Sequence, residues 1–137
     1  FVAGDERVID AFVQLRAYAA ASVSLPVQAA SAALWADDAH VEDARQSYRE
    51  KFDLAERELA GKFDFYRPQA AIFLWLRTGD SETAAMELWR NASLKVMPGS
   101  YLGNGENHPG NDYVRLAMVT DMNSTADALQ RINSTLS

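Results

Sequence analysis

The segment GNDYVRLAMV, residues 110–119, constrains the fold more than any other. Tyr113, Val114, Leu116, Ala117, Met118 and Val119 put apolar side chains on both faces of a strand, which predicts a strand buried on both sides. Arg115 sits in the middle of it. A lone buried guanidinium is costly to desolvate and cannot shed its proton to escape. Three arrangements resolve the conflict. Arg115 forms an internal salt bridge, or it snorkels to water from an edge strand, or its anion is not part of this chain.

The pattern around that strand is mixed. FVAGD at the start reads as a short buried strand over residues 1–4, followed by a helix from an Asp5 cap to about residue 21, with Val8, Phe12, Leu15 and Ala19 in helical spacing. Pro26 suits the first turn of a second helix, with Val27, Ala30 and Leu34 inward. A long helix follows over about residues 39–60. Val41, Ala44, Tyr48, Phe52, Ala55 and Leu59 form its apolar stripe, its other face is charged, and Gly61 stops it. Phe63 and Phe65 then alternate as in a strand, YRPQ turns the chain, and AAIFLWLRT reads as a central strand. An amphipathic helix capped by Asp80 or Ser81 buries Ala84, Ala85, Leu88 and Trp89. LKVMPG is a short strand stopped by Pro98, and residues 99–112 are a loop rich in Gly, Asn and Pro. A last helix, capped by Thr120 or Asp121, turns Ala126, Leu129, Ile132 and Leu136 inward. Helices first, then strands interleaved with helices, define an α+β class: a short sheet covered by helices, packed under a long connecting helix.

Composition narrows the function. The 137 residues suit one domain with a sizeable core, and 48% hydrophobic content argues against disorder. A net charge of −6 argues against nucleic acid as the main partner. No stretch is apolar for long enough to span a membrane, and no secretory signal opens the chain. With no cysteine there is neither a disulfide framework nor a thiolate metal site, which fits the cytoplasm. The chain opens on Phe1 inside an apolar run, as a piece of something longer would.

Other constellations are weak. His40 and His108 lie in no ligand-spaced cluster, so no metal site is expected. No local context suggests a Ser-His-Asp arrangement. GNGENHPG lacks the lysine and the following helix of a phosphate loop. The Asn-x-Ser/Thr triplets at Asn91, Asn123 and Asn133 lack a secretory context. Phe63, Phe65, Phe73, Trp75 and Trp89 read as core rather than as a stacking platform.

FVAGD, SLPVQAASAALWADDAHVEDARQSYREKFD, AAIFLWLRT, VMPGSYLG and YVRLAMV, in that order, resemble the C-terminal part of the class I pyridoxal-phosphate aminotransferases, over residues 1 to about 132. Within that family, of aspartate-aminotransferase-like fold, the likeness is greatest to the succinyl-diaminopimelate aminotransferase group of the bacterial lysine and cell-wall pathway. The resemblance implies three segments: residues 1–25 as a remnant of the large cofactor-binding domain, 26–61 as connecting helices with the long interdomain one, and 62–137 as the small C-terminal domain. It implies that Arg115 grips the substrate α-carboxylate, for which a planar guanidinium on a rigid strand is well suited. It implies amino-acid and keto-acid substrates, a homodimeric parent and pyridoxal phosphate. The family's Schiff-base lysine lies in a Ser-x-Ser-Lys stretch upstream of an FVAGD-like strand, and Lys51, Lys62 and Lys95 match none of that context. The expectation is a fragment with no cofactor and no activity of its own. Two alternatives stay open: a decarboxylase or lyase on the same fold, and a stand-alone module that binds carboxylates or proteins.

Overall fold

A computed structural model describes residues 2–19, 23–105 and 107–136. The chain divides into two compact units, Phe1–Val41 and Glu42–Ser137. The first holds α1 (Glu6–Ala19) and α2 (Leu25–Trp35). The Asp5 carboxylate accepts the Arg7 amide at 3.1 Å, so Asp5 caps α1 as expected. Pro26 lies in the first turn of α2. Neither helix buries a residue. Val8, Leu15, Val27 and Leu34, expected inward, are exposed. Two helices of this length cannot enclose a core by themselves. Residues 2–5 are exposed and form no strand, which corrects the buried strand expected there. A strand needs a hydrogen-bonded neighbour, and the described residues offer these none. Phe1, Ala20 and Ala21 fall outside the described residues.

The long helix α3 (Ala39–Leu59) buries only its C-terminal half, through Phe52, Ala55 and Leu59. Gly61 follows with φ +75°, a left-handed conformation that ends a helix. The alternation of Phe63 and Phe65 does not make a strand. Phe63 and Asp64 take φ of 55° and 48°, and left-handed residues break a pleat. Both phenylalanines instead pack against the core from a turn.

Three strands form an antiparallel sheet in the order β1 (Phe73–Arg77), β3 (Tyr113–Ala117), β2 (Met97–Pro98). The middle place therefore belongs to β3, and β1 is an edge, contrary to the sequence reading. Register pairs Trp75 with Arg115 and Leu76 with Val114 on one side of β3, and Met97 with Arg115 on the other. β2 is short because the chain leaves Pro98 for a 3-10 turn, Gly99–Leu102.

Helix α4 (Ser81–Ala92) starts where the Asp80 carboxylate accepts the amides of Glu82 and Thr83, at 3.0 and 2.8 Å. The Thr83 amide foremost holds the Asp80 pKa below the ordinary carboxylate value. Helix α5 (Met122–Leu136) is capped in the same way by Asp121, whose pKa is lowered first by the Ser124 hydroxyl. The core lies between one face of the sheet and these helices: Leu74, Leu76, Val114 and Leu116 meet Phe52, Ala55 and Leu59 of α3, Ala84 and Leu88 of α4, and Leu129 and Ile132 of α5. Trp89, expected in that core, is 56% exposed, one position round the helix from Leu88. Lys51 is buried instead; its Nζ donates to the Met118 carbonyl at 3.1 Å and lies 5.0 Å from the centre of the Tyr48 ring.

Candidate functional site

Burial alternates along both long strands. In β1, Leu74 and Leu76 are buried while Phe73 and Trp75 are half-buried; in β3, Val114 and Leu116 are buried while Tyr113 and Arg115 are half-buried. Among the described residues of Glu42–Ser137, the helices pack on the face that carries Leu74, Leu76, Val114 and Leu116. The alternation corrects the expectation of a strand buried on both sides, and with it the expectation that Phe73 and Trp75 are core. Period-two alternation puts Arg115 on the opposite face from Val114 and Leu116, where water reaches it.

On this open face Arg115 sits between Trp75 and Met97, its cross-strand neighbours. Its Cζ lies 4.3 Å over the centre of the Phe73 ring. Among the described residues its side chain makes no hydrogen bond or ion pair. Arg77, on the same face of β1, behaves differently: its guanidinium lies 3.1 Å from Asp64 and 3.5 Å from Asp112. So one sheet arginine is committed to carboxylates, whereas the planar fork of N–H donors on the other meets no carboxylate among the described residues.

The rim of this face is built by the connection from β2 to β3. The turn Gly99–Leu102 and a second 3-10 turn, Pro109–Asp112, meet where Gly99 and Gly110 bring their backbones together. A Cβ on Gly99 would stand 2.2 Å from the Gly110 carbonyl oxygen. The Gly110 amide donates to His108 Nδ1 at 3.0 Å, and the Thr78 amide donates to the Asp112 carbonyl at 2.7 Å. These bonds fix where β3 begins. They also close a shallow hollow of about 360 Å³ lined by Tyr66, Trp75, His108 and Tyr113. A strand-mounted guanidinium whose N–H donors are not taken up by a carboxylate can receive one in two parallel hydrogen bonds.

His40 and His108 are not brought into a metal centre; no cluster of three ligating groups occurs among the described residues. Nor does any helix among them have the length and apolarity to cross a membrane. The three lysines of the sequence lie in separate surroundings. The Lys51 amine is bonded to the Met118 carbonyl, that of Lys62 to Asn133 Oδ1 at 3.1 Å, and Lys95 lines a separate groove beside Trp89. What sequence reasoning missed is the contact of Phe73 with Arg115. Period two alone puts each on some face, but only the register brings the two together.

This architecture, a small antiparallel sheet with helices on one face and a long helix leading into it, is found in known proteins. No family model matches the chain. It is 32% identical over 130 residues to 4-dedimethylamino-4-oxo-anhydrotetracycline transaminase OxyQ of Streptomyces rimosus, covering 94% of this chain and 35% of that protein. It is 29% identical over 138 residues to LL-diaminopimelate aminotransferase of Natranaerobius thermophilus, covering 96% of this chain and 34% of the other. The structure superimposes on an aminotransferase of Neisseria meningitidis with a TM-score of 0.83 and 37% identity, over 98% of this chain and 35% of that one. These relatives and neighbours are class I aminotransferases of the aspartate-aminotransferase fold, and the chain has the fold of their C-terminal part. It spans about a third of the length of the curated relatives it matches.

Proposed function

We propose that this chain is part of a pyridoxal-phosphate-dependent aminotransferase and supplies the arginine that binds the α-carboxylate of the amino-acid substrate. The observation that carries the reading is Arg115 itself: a half-exposed guanidinium on the middle strand of a sheet, engaged by no carboxylate among the described residues. Two parallel N–H···O bonds would fix the carboxylate in orientation as well as in charge. The strand holds the fork still while the rest of the substrate is positioned. The substrate class in this reading is succinyl-diaminopimelate or a related amino acid, with a keto acid as acceptor. The likeness to an LL-diaminopimelate aminotransferase supports it. Pyridoxal phosphate belongs to the full-length parent, a cytoplasmic homodimer; no step through it is assigned to Lys51, Lys62 or Lys95.

The test uses the full-length product of the encoding gene, supplied with pyridoxal phosphate, N-succinyl-LL-diaminopimelate and 2-oxoglutarate. Amino-group transfer is expected. Arg115→Ala removes a charge-assisted pair from a partly desolvated site and costs roughly 2–5 kcal/mol in transition-state binding, read from kcat/KM. Arg115→Lys recovers only part of that, because an ammonium cannot reproduce the two-pronged geometry. Kinetics unchanged by the alanine substitution would refute the role. A full-length product that binds carboxylates and transfers no amino group would instead favour the binding module.

A further inference from the structure

We infer that Phe73 is a positioning residue: its ring is the platform that holds the Arg115 guanidinium ready for a carboxylate. The inference rests on the reading of Arg115 as a carboxylate clamp. Phe73 pairs in register with Ala117, two residues beyond Arg115, so ring and guanidinium are diagonal neighbours on the open face of the sheet. Diagonal neighbours are within reach of each other only when one is aromatic and the other long, as here. Ala117 carries a single methyl group opposite Phe73 and leaves the ring face uncovered for Arg115 to lie over, with 4.3 Å between Cζ and the ring centre. Trp75 and Met97 flank the arginine on either side.

The kind of contact matters. An acidic partner would restrain the guanidinium by occupying its N–H donors and cancelling its charge, as Asp64 and Asp112 do for Arg77. A ring attracts the cation through its π face and takes up no in-plane donor. Arg115 is thus restrained by the ring while its fork of donors stays free among the described residues. A flexible side chain that is already restrained loses less freedom when its ligand arrives. Phe73 therefore acts on carboxylate binding, through Arg115, and touches neither the substrate nor the reacting atoms.

The experiment compares Phe73→Leu, Phe73→Tyr and Arg115→Ala in the full-length protein, with the donor and acceptor above. Phe73→Leu is expected to raise KM for the donor roughly 2- to 30-fold at unchanged kcat, the range of a cation–π contact between exposed and desolvated limits. Phe73→Tyr keeps the π face and should stay within about twofold of wild type. A structural role alone would lower the active fraction, and so the apparent kcat, with KM unmoved. A second readout does not need turnover: arginine side-chain NMR should show the Arg115 Nε–H resonance shifted by the ring current, that shift lost in Phe73→Leu, and disodium succinate bound correspondingly more weakly. Should Phe73→Leu fail to fold, Phe73→Met, of similar volume, takes its place. A normal KM in Phe73→Leu beside a raised KM in Arg115→Ala would overturn the role of Phe73 and leave that of Arg115 standing. Arg115→Ala kinetics equal to wild type would overturn both.

Discussion

Gly99→Ala asks whether two touching backbones set the position of the strand that carries Arg115. A Cβ at residue 99 would lie 2.2 Å from the Gly110 carbonyl oxygen and 2.6 Å from that of Tyr113. Both obstacles are backbone, so neither can swing aside as a flexible side chain would. To bring the shorter contact to about 3 Å, the two 3-10 turns must part by roughly 1 Å in a close-packed rim. Overpacking costs about 1–3 kcal/mol, and with no side chain able to give, this substitution belongs at the upper end, roughly 3 kcal/mol. That is about a hundredfold in the folding equilibrium. Because Tyr113 begins β3, the displacement should reach the sheet. Urea unfolding followed by circular dichroism measures the loss, and native-state hydrogen exchange at Val114 and Leu116 shows whether β3 has loosened. Gly4→Ala is the control, since a Cβ there meets nothing within 4 Å. Gly99→Ala within about 0.5 kcal/mol of wild type, with Val114 exchange unchanged, would refute the reasoning.

The helix caps give a pH dependence. The Asp80 and Asp121 pKa values lie below the ordinary 3.8, held there by the amide of Thr83 and the hydroxyl of Ser124 respectively. A lowered folded-state value means that their contribution is fully present above the unfolded pKa and lost as pH falls below it toward the folded value. Asp80→Asn should flatten that part of a melting-temperature profile below pH 4, and Asp80→Ala should lower the melting temperature by a few degrees near neutrality as well. In a separate test, pyridoxal phosphate added to the 137-residue chain and reduced with borohydride should leave no stoichiometric, site-specific adduct on Lys51, Lys62 or Lys95 by mass spectrometry. One such adduct would show that a lysine of this chain can carry the cofactor.

Helix ends and the core stripe were legible in the sequence because their causes are local. Asp5, Asp80, Asp121, Pro26 and Gly61 act within a turn of where they stand, and Phe52, Ala55 and Leu59 show helical spacing without reference to any partner. Strand positions were not so legible. Phe63 and Phe65 alternate, but left-handed φ at Phe63 and Asp64 comes from the turn that delivers the chain to β1, where the Phe63 carbonyl accepts the Arg77 amide at 2.8 Å. AAIFLWLRT is the most apolar run and reads as central, yet it lies at an edge. Sheet order depends on which strands pair, and both β1 and β2 pair with β3. Apolar composition cannot report that.

Arg115 shows the same limit and how physics resolves it. Its neighbours in sequence, Val114 and Leu116, are buried, which made a buried charge the problem to explain. In a strand, sequence neighbours are the residues a side chain does not share a face with. Its true neighbours are Trp75, Met97 and Phe73, from two other strands. They form a partly apolar face on which Arg115 is half-buried. Such a face favours a carboxylate more than open water does and costs less than a buried pair. The middle place of β3 adds the mechanical part, because the strand that carries Arg115 is paired with β1 on one side and β2 on the other, where an edge strand would be held on one side only.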